Sequence, residues 1–309
     1  MLYPKVSVVK PTYKLAHFIS RAIDSVLAQT YPNVEVIVVD DNANDAESRE
    51  STKQTMRTYE NNDKVRYILS SDKLGGGPAR NLGIDSADGE YITFLDDDDA
   101  YEPPKIEMQL KFMMMHNLDF CFSDLHLYNH DGTKIVEHRT RPYVKSWDPE
   151  HLLKMHILYS ISGTDCYMAK KELLLNIGGF RDVKVGQEFL LMWDVLEAAQ
   201  KDSYKVGYYP NSYIRLYLHK GERVSVGHNK FAGEEDIYKL KCSKKHTFNK
   251  KQARYIDFRH YMVLCVACKR SGKPAASLRH LLTAFNISPY DFFNELIIDI
   301  KKKNTFRRK

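Results

Sequence analysis

Four consecutive aspartates, Asp96 to Asp99, directly follow the apolar stretch Tyr91–Leu95. Neighbouring negative charges repel one another unless a cation compensates them. Mg²⁺ and Mn²⁺ take oxygen ligands, and proteins usually hold them with one or two carboxylates together with substrate phosphates. An acidic run is also typical of a solvated turn. The residue types therefore indicate either a divalent metal site or an exposed acidic loop.

Two further polar clusters follow apolar stretches earlier in the chain. Pro11-Thr12-Tyr13-Lys14 comes after Val6–Val9, and Asp40-Asp41-Asn42 comes after Val34–Val39. In an open α/β sheet, ligands bind beyond the carboxyl ends of the strands. We therefore expect all three clusters to meet at one edge of one sheet, and this position favours the metal-site interpretation of the aspartates.

The first half of the chain alternates between short apolar, β-branched stretches and segments with helical spacing of apolar residues. The strand-like stretches are Val6–Val9, Val34–Val39, Val65–Leu69, Tyr91–Leu95 and Phe120–Asp124; the helix-like ones are His17–Gln29, Pro78–Ala87 and Pro103–His116. This alternation predicts an α/β fold with a doubly wound, mostly parallel sheet.

The second half changes character. A strand-like Cys166–Ala169 and a helix from Gln187 to about Ala199 are followed, beyond Lys230, by helical patterns alone: Lys251–Ser271, Pro274–Asn286 and Pro289–Lys303. The pattern predicts two regions, an α/β domain over residues 1–225 and a helical C-terminal region over residues 226–309.

A glycine-rich segment, Leu74–Pro78, precedes Arg80 and leads into a helix-like stretch. Loop amides and a helix N-terminus can hold an anion, and an arginine there can supply charge to a phosphate. The segment matches neither the dinucleotide fingerprint nor the P-loop. A plain tight turn is the alternative.

Five motifs in chain order resemble the opening of the family 2 glycosyltransferases, enzymes with a GT-A fold. They are Val6–Tyr13, Ala22–Tyr31, Glu35–Asp41, Gly77–Ile84 and Gly89–Asp99. The resemblance covers about residues 5 to 200. It implies an inverting, metal-dependent transferase that moves a sugar from a nucleoside diphosphate, usually a UDP-sugar, to a hydroxyl of a glycan or lipid-linked acceptor in cell-surface polysaccharide synthesis.

The same resemblance implies roles for individual residues. Thr12, Tyr13 and Asp41 would surround the base of the nucleotide, usually uracil, Asp96 or Asp97 would meet the ribose side, and Asp98 would hold Mn²⁺ or Mg²⁺. Pro11, which precedes Thr12, and Arg80, from the glycine-rich segment, complete the predicted nucleotide-binding residues. Four aspartates in a row allow more than one register of this motif. Lys14 departs from the asparagine that the family usually has there.

An inverting transfer also needs a general base for the acceptor hydroxyl. Family members carry an acidic pair after a Gly-Gly-Phe segment, and here Gly178-Gly179-Phe180 leads to Gln187-Glu188. Glu188 is the candidate base, since Gln187 replaces the first acid; Asp182 and Asp194 are less well placed. A first-turn acid that complements the helix dipole is the simpler interpretation of Glu188 alone.

Residues 219–225 have the pattern H-x-G-x-R-x-S, which resembles a segment of wall-polymer and capsule transferases. His219 and Arg223 in a mobile loop could close over the diphosphate. A solvated loop is the alternative.

The chain carries a net charge of +6 in 309 residues, and Lys301–Lys309 alone holds six basic residues and no acid. The body is thus near neutral, which argues against nucleic-acid binding. No stretch approaches the roughly 20 apolar residues of a membrane helix. The absence of a leader-like N-terminal stretch predicts a cytoplasmic protein.

An apolar stripe precedes this basic tail and comprises Phe292, Phe293, Leu296, Ile297 and Ile300. An apolar stripe with a basic end suits a helix that lies on an anionic membrane surface. It would also suit packing on the body of the protein or on a second copy in a homo-oligomer.

Two other functions remain open from the sequence. A sugar-phosphate nucleotidyltransferase shares the nucleotide-binding sheet but typically has a glycine-rich signature after its first strand, which Pro11–Lys14 lacks. A non-catalytic nucleotide-sugar-binding module would be expected to have lost the metal aspartates or the base, and both are present.

Overall fold

A computed structural model describes residues 4–161, 163–218 and 228–297, and for residues 228–230 it describes the backbone only. Two compact units are present. The first comprises residues 4–156, 161–182 and 187–218, and the second comprises 157–160, 183–186 and 228–297. The predicted domain boundary at residue 225 lies outside the described residues.

The first unit contains a seven-stranded sheet in the order β10-β6-β9-β4-β1-β2-β3. Its strands are β1 Val6–Thr12, β2 Val34–Asp40, β3 Val65–Leu69, β4 Tyr91–Phe94, β6 Phe120–Ser123, β9 Tyr167–Lys170 and β10 Val206–Tyr209. Neighbouring strands are parallel except β9, which runs antiparallel to both β4 and β6. The predicted α/β fold with a mostly parallel sheet is confirmed.

A smaller sheet, which the sequence patterns did not predict, has the order β5-β11-β7-β8. Its strands are β5 Ala100–Tyr101, β7 Leu125–Tyr128, β8 Ile135–Arg139 and β11 Ile214–Tyr217. Because the short β5 begins directly after Asp99, this sheet holds the chain in place at the C-terminal end of the aspartate run.

Helices connect the strands and form the second unit. They are α1 Ala16–Leu27, α2 Ala46–Met56, α3 Gly76–Ser86, α4 Lys105–Met115, α5 Pro149–Tyr159, α6 Lys171–Asn176, α7 Gln187–Asp202, α8 His228–Ser243, α9 Lys250–Arg270 and α10 Pro274–Ile287. Residues 289–297 are also helical. Among the described helices, none combines the length and hydropathy needed to cross a membrane.

Burial explains why the central strands form. Every residue of β2 is buried, as a strand covered on both faces requires. Helix α1 buries Ile19, Ala22, Ile23 and Val26, which recur at helical spacing. Helix α3 approaches β1 closely at Gly83, where a Cβ atom would lie 2.4 Å from Val9 Cγ1. A glycine here lets α3 sit against the sheet and sets the position of Arg80 one turn earlier.

Candidate active site at the carboxyl edge of the sheet

The three polar clusters meet at one edge of the large sheet, as predicted. Strand β1 lies between β4 and β2, and Thr12 pairs with Asp40 at the ends of their strands. The backbone N–H of Asp41 donates to the carbonyl of Thr12 at 2.9 Å. Parallel strands thus bring Pro11, Thr12 and Asp41 next to the residues that follow β4.

Three carboxylates converge there, from Asp96, Asp99 and Asp165. One oxygen of each lies within 4.8 Å of the others. Asp165 precedes β9, and because β9 is antiparallel its beginning lies at the carboxyl ends of β4 and β6. The Asp165 carboxylate accepts a hydrogen bond from the backbone N–H of Asp96 at 2.8 Å. The sequence patterns do not predict Asp165, because it stands alone between Thr164 and Cys166 with no other acidic residue beside it.

These carboxylates do not all ionise easily. Burial raises the pKa of Asp165 to about 7, and the neighbouring Asp96 acts in the same direction. Burial and the charge of Asp165 raise the pKa of Asp99 well above its usual value. Because like charges this close repel each other, Asp99 and Asp165 retain a proton more readily than isolated carboxyl groups unless a cation is bound. Three converging hard oxygen donors with this charge fit a divalent ion such as Mg²⁺ or Mn²⁺.

Asp98, the predicted metal ligand, is half-buried and is not one of the three converging carboxylates among the described residues. Its backbone carbonyl accepts a hydrogen bond from the Arg21 guanidinium, and that guanidinium lies 3.9 Å from the centroid of the Tyr217 ring. Its assignment as a metal ligand stays a prediction.

Asp97 has a different environment. Its carboxylate forms an ion pair with Lys10, whose side chain is fully buried in β1. It also accepts a hydrogen bond from the backbone N–H of Tyr13 at 3.3 Å. Burial raises the pKa of Asp97, although Lys10 acts in the opposite direction. Asp97 therefore ties the residues after β1 to the aspartate run. The sequence analysis did not assign a role to Lys10 either, although a lysine in an otherwise apolar strand indicates a buried acidic partner.

Asp41 holds the glycine-rich segment in place. Its two carboxylate oxygens accept hydrogen bonds from the backbone N–H groups of Leu74, at 2.6 Å, and Gly75, at 2.8 Å. Gly75 has φ +88°, a conformation that favours glycine. Tyr13 lies nearby, since Lys73 donates to its hydroxyl at 2.8 Å. The predicted base-binding residues are thus joined to the segment before α3.

Arg80 lies in α3 and joins the glycine-rich segment to the aspartates. Its Nη2 donates to Asp96 Oδ1 at 2.5 Å, and its Nη1 donates to Gln187 Oε1 at 2.9 Å and to the Gly76 carbonyl at 3.1 Å. The side chain is 10% exposed. Arg80 therefore connects the metal-binding candidates to the start of α7.

Glu188, the predicted base, is half-buried in the first turn of α7. The Tyr167 hydroxyl donates to its backbone carbonyl at 3.1 Å. Of the two alternatives, Asp194 is held by Arg181, whose Nε donates to it at 2.9 Å, and Asp182 is exposed. Of the three acids, Glu188 is the one next in sequence to Gln187, the residue that Arg80 contacts. His219 and Arg223 lie outside the described residues.

Solved structures share this fold. Staphylococcus aureus TarS, residues 1–349, determined in complex with UDP-GlcNAc, superposes with a TM-score of 0.62 at 18% identity, over 92% of this chain and 81% of that one. A mannosyltransferase from Pyrobaculum calidifontis, PcManGT, determined with GDP-Man and Mn²⁺, gives 0.54 at 16% identity, over 97% and 80%. The predicted GT-A-like fold is therefore confirmed.

Sequence relatives agree on the family. A Bacillus subtilis protein named for teichuronic acid biosynthesis, the glycosyltransferase TuaG, is 34% identical over 146 residues, 47% of this chain and 56% of its own length. WfgD of Escherichia coli, named as a UDP-Glc:α-D-GlcNAc-diphosphoundecaprenol β-1,3-glucosyltransferase, is 32% identical over 127 residues, 41% of this chain and 48% of its own. The chain spans about half the length of these two relatives. The model of glycosyl transferase family 2 matches residues 7–175, and the chain, which carries that family's motifs on the matching fold, belongs to this family.

Proposed function

We propose that the protein is an inverting glycosyltransferase that moves a sugar from a nucleoside diphosphate to a hydroxyl acceptor. The observation that carries the proposal is the convergence of Asp96, Asp99 and Asp165 beside Arg80, at the sheet edge where Tyr13 and Asp41 also lie. A cluster of carboxylates with an arginine suits a metal-bound diphosphate.

The donor would bind along this edge. Tyr13 would stack on the base, uracil in the proposed UDP-sugar, and Asp41, with Pro11 and Thr12 beside it, would accept from the ring N–H. The loop that Asp41 holds leads into α3, and the backbone amides at the start of that helix would bind the diphosphate. Asp97, anchored by Lys10, and Asp96 would lie on the ribose side.

The residues that would hold Mn²⁺ or Mg²⁺ are Asp98, from the family resemblance, and Asp96, Asp99 and Asp165, from their convergence. A bound divalent ion would offset the charge that develops on the leaving diphosphate. Arg80 would offset the same charge from the side of α3.

Glu188 would act as the general base in a single displacement. As it takes the proton of the acceptor hydroxyl, the acceptor oxygen bonds to the anomeric carbon from the face opposite the diphosphate. The bond from that carbon to the diphosphate oxygen breaks, and the nucleoside diphosphate leaves with the electron pair. Attack from the opposite face inverts the configuration.

The acceptor is proposed to be a glycan or a lipid-linked glycan of the cell surface. TuaG is named for teichuronic acid biosynthesis, and the name of WfgD specifies a diphosphoundecaprenol-linked acceptor. These names support an acceptor of the same class for this chain.

A donor panel tests the proposal against its rivals. We expect slow hydrolysis of one UDP-sugar that requires Mn²⁺ and stops in EDTA. Release of pyrophosphate from a nucleoside triphosphate and a sugar phosphate would instead establish a nucleotidyltransferase. Nucleotide-sugar binding with neither reaction, and without transfer to acceptors from cell extract, would establish a non-catalytic module.

We also propose that the C-terminal stripe contacts the inner face of the cell membrane. In the second unit, Phe293, Leu296 and Ile297 expose 53%, 49% and 50% of their surface. Phe285 of α10 contacts Phe292 and Phe293, with ring centroids 5.4 and 6.0 Å apart. Ile300 and the basic tail lie outside the described residues. The exposed apolar side chains support contact with lipid, and the sequence of the tail supplies charge complementary to anionic lipid.

Vesicle sedimentation tests this contact. Each basic residue near an anionic surface contributes about 1 kcal/mol, screened over roughly 10 Å at 0.1 M salt. Deletion of Lys301–Lys309, or Phe293→Ser with Leu296→Ser, should therefore lower sedimentation with anionic vesicles while donor hydrolysis continues. Neutral vesicles serve as the control. Failure of the intact protein to sediment at low salt would exclude the membrane, and a loss of oligomer size in the serine variant would assign the stripe to a homo-oligomer.

A further inference from the structure

The helical second unit carries a strong positive charge that the net charge of the whole chain conceals. From Ile237 to Tyr290 the sequence has twelve lysines and arginines and a single acid, Asp257. Eight of the basic side chains are exposed: Lys239, Lys250, Lys251, Arg254, Lys269, Arg270, Lys273 and Arg279. Asp257 is already engaged, since its carboxylate accepts hydrogen bonds from Tyr238 and Lys245. The surface of α9 and α10 is therefore basic, and it favours an anionic partner.

Exposed leucines accompany these charges. Leu278 and Leu282, four residues apart in α10, each expose 56% of their surface, and Val266 of α9 exposes 44%. Residues four apart lie on one face of a helix. The Ser277 hydroxyl donates to the Cys265 carbonyl at 2.9 Å, so Val266 and Leu278 directly follow a point of contact between the two helices. Val266 and Leu278 therefore lie near each other, with Leu282 one turn further along α10.

Basic residues stand at both ends of this pair of helices. At one end, Lys269, Arg270 and Lys273 lie at the turn that joins α9 to α10. At the other end, the Lys251 ammonium lies 5.0 Å from the centroid of the exposed Tyr290 ring, which places the start of α9 beside the segment that follows α10. A helix with exposed apolar side chains between basic groups suits the boundary between the headgroups and the acyl chains of an anionic membrane.

The charge and the leucines together favour lipid over other occupants. A second copy of this chain in a two-fold dimer would bring the same basic surface against itself, and like charges would repel. Residues 298–309 carry six basic residues and one acid, so the same repulsion applies to them. A nucleic acid would match the charge through its phosphates, but it would leave the leucines without an apolar partner.

We propose that α10 lies on an anionic lipid surface, with Leu278 and Leu282 against the acyl chains and the basic residues at both ends of the helix among the headgroups. This contact is additional to that of the stripe and the basic tail, and it does not depend on the reaction. Its consequence for catalysis rests on the proposed function: it keeps the enzyme at the surface where a lipid-linked acceptor would be presented.

Sedimentation with phosphatidylglycerol vesicles tests the inference, with phosphatidylcholine vesicles for comparison. Leu278→Ser with Leu282→Ser should lower the partition coefficient on the anionic vesicles roughly tenfold, because two exposed leucines lose their contact with acyl chains. Lys269→Gln with Arg270→Gln should lower it about fivefold for each charge at low salt, and less at high salt. The two substituted basic side chains are exposed, so this variant tests the inference even if the serine variant is unstable.

Met115→Ser with Leu175→Ser is the matched control, because both side chains are exposed in the first unit. It should sediment as the wild type does. A folded Leu278→Ser, Leu282→Ser variant that also sediments as the wild type does would overturn the inference. So would a smaller oligomer in that variant, which assigns the leucines to a second copy. Binding of an RNA oligonucleotide by the wild type, with no binding of vesicles, would assign the basic surface to a nucleic acid.

The outcomes also separate this inference from the other proposals. Deletion of Lys301–Lys309 removes the tail alone, so residual vesicle binding that the two serine substitutions then abolish supports a second surface. If the deletion abolishes binding while the full-length serine variant binds normally, only the tail contacts lipid and this inference is wrong. Absence of donor hydrolysis by the wild type would refute the proposed function and would leave the vesicle result as it stands.

Discussion

Replacement of Glu188 by glutamine is expected to lower turnover by about 100-fold or more while donor affinity stays nearly unchanged. The substitution keeps the size and shape of the side chain and removes its basicity. Glu188 lies at the start of α7, directly after the residue that Arg80 contacts. Steady-state transfer rates, together with calorimetric affinity for the donor, measure the two quantities separately.

Glu197→Gln is a suitable control for this experiment, because it removes an acid later in the same helix. It should leave turnover close to that of the wild type. If the Glu188→Gln variant keeps most of its transfer activity, the base is elsewhere, and Asp182 becomes the first alternative. Asp194 is the weaker one because Arg181 already binds its carboxylate.

Asp98→Asn should abolish turnover, and should weaken nucleotide binding far more in Mn²⁺ than in EDTA. The reason is that the substitution removes a charged ligand of the ion while keeping the shape of the side chain. Nucleotide affinity is measured by calorimetry in both conditions, and Asp63→Asn, at an exposed position, controls for the loss of one negative charge.

The three converging carboxylates make the contrary outcome informative. If Asp98→Asn binds nucleotide in Mn²⁺ as well as the wild type does, either Asp96, Asp99 and Asp165 hold the ion instead or no ion takes part in binding. Asp165→Asn distinguishes the two: a Mn²⁺-specific loss of affinity in that variant assigns the ion to the three carboxylates, and no loss removes the ion from the site.

Much of the large sheet could be predicted because its strands are covered on both faces and therefore have continuous apolar sequences. Val34–Val39 is the clearest case, since every residue of β2 is buried. Thr12, Asp41 and Asp96 could be predicted to lie together, because each follows or ends one of the parallel strands β1, β2 and β4, which end at the same edge of the sheet.

The contribution of Asp165 could not be predicted in this way. The apolar stretch Cys166–Ala169 predicts a strand, but its residues indicate neither the direction of that strand nor its position between β4 and β6. An antiparallel strand brings its first residues to the edge, so an isolated aspartate before it joins a site whose other members lie far earlier in the chain. Lys10 was missed for a related reason, as its partner Asp97 is identified only by the pairing of β1 with β4.

The insertion of β9 also bears on how the protein reaches its native state. Strands β1, β2, β3 and β4 can pair using the first third of the chain, whereas β9 comes from much later in the sequence and lies between β4 and β6, antiparallel to both. Pairing over such separations is slow, because the chain must close a long loop before the contact forms. A chain halted before that step would carry the aspartate run without Asp165. A divalent ion that needs all three converging carboxylates would favour the complete sheet over this intermediate by mass action. Binding of the ion would thus also stabilise the pairing of β9 with its two neighbours.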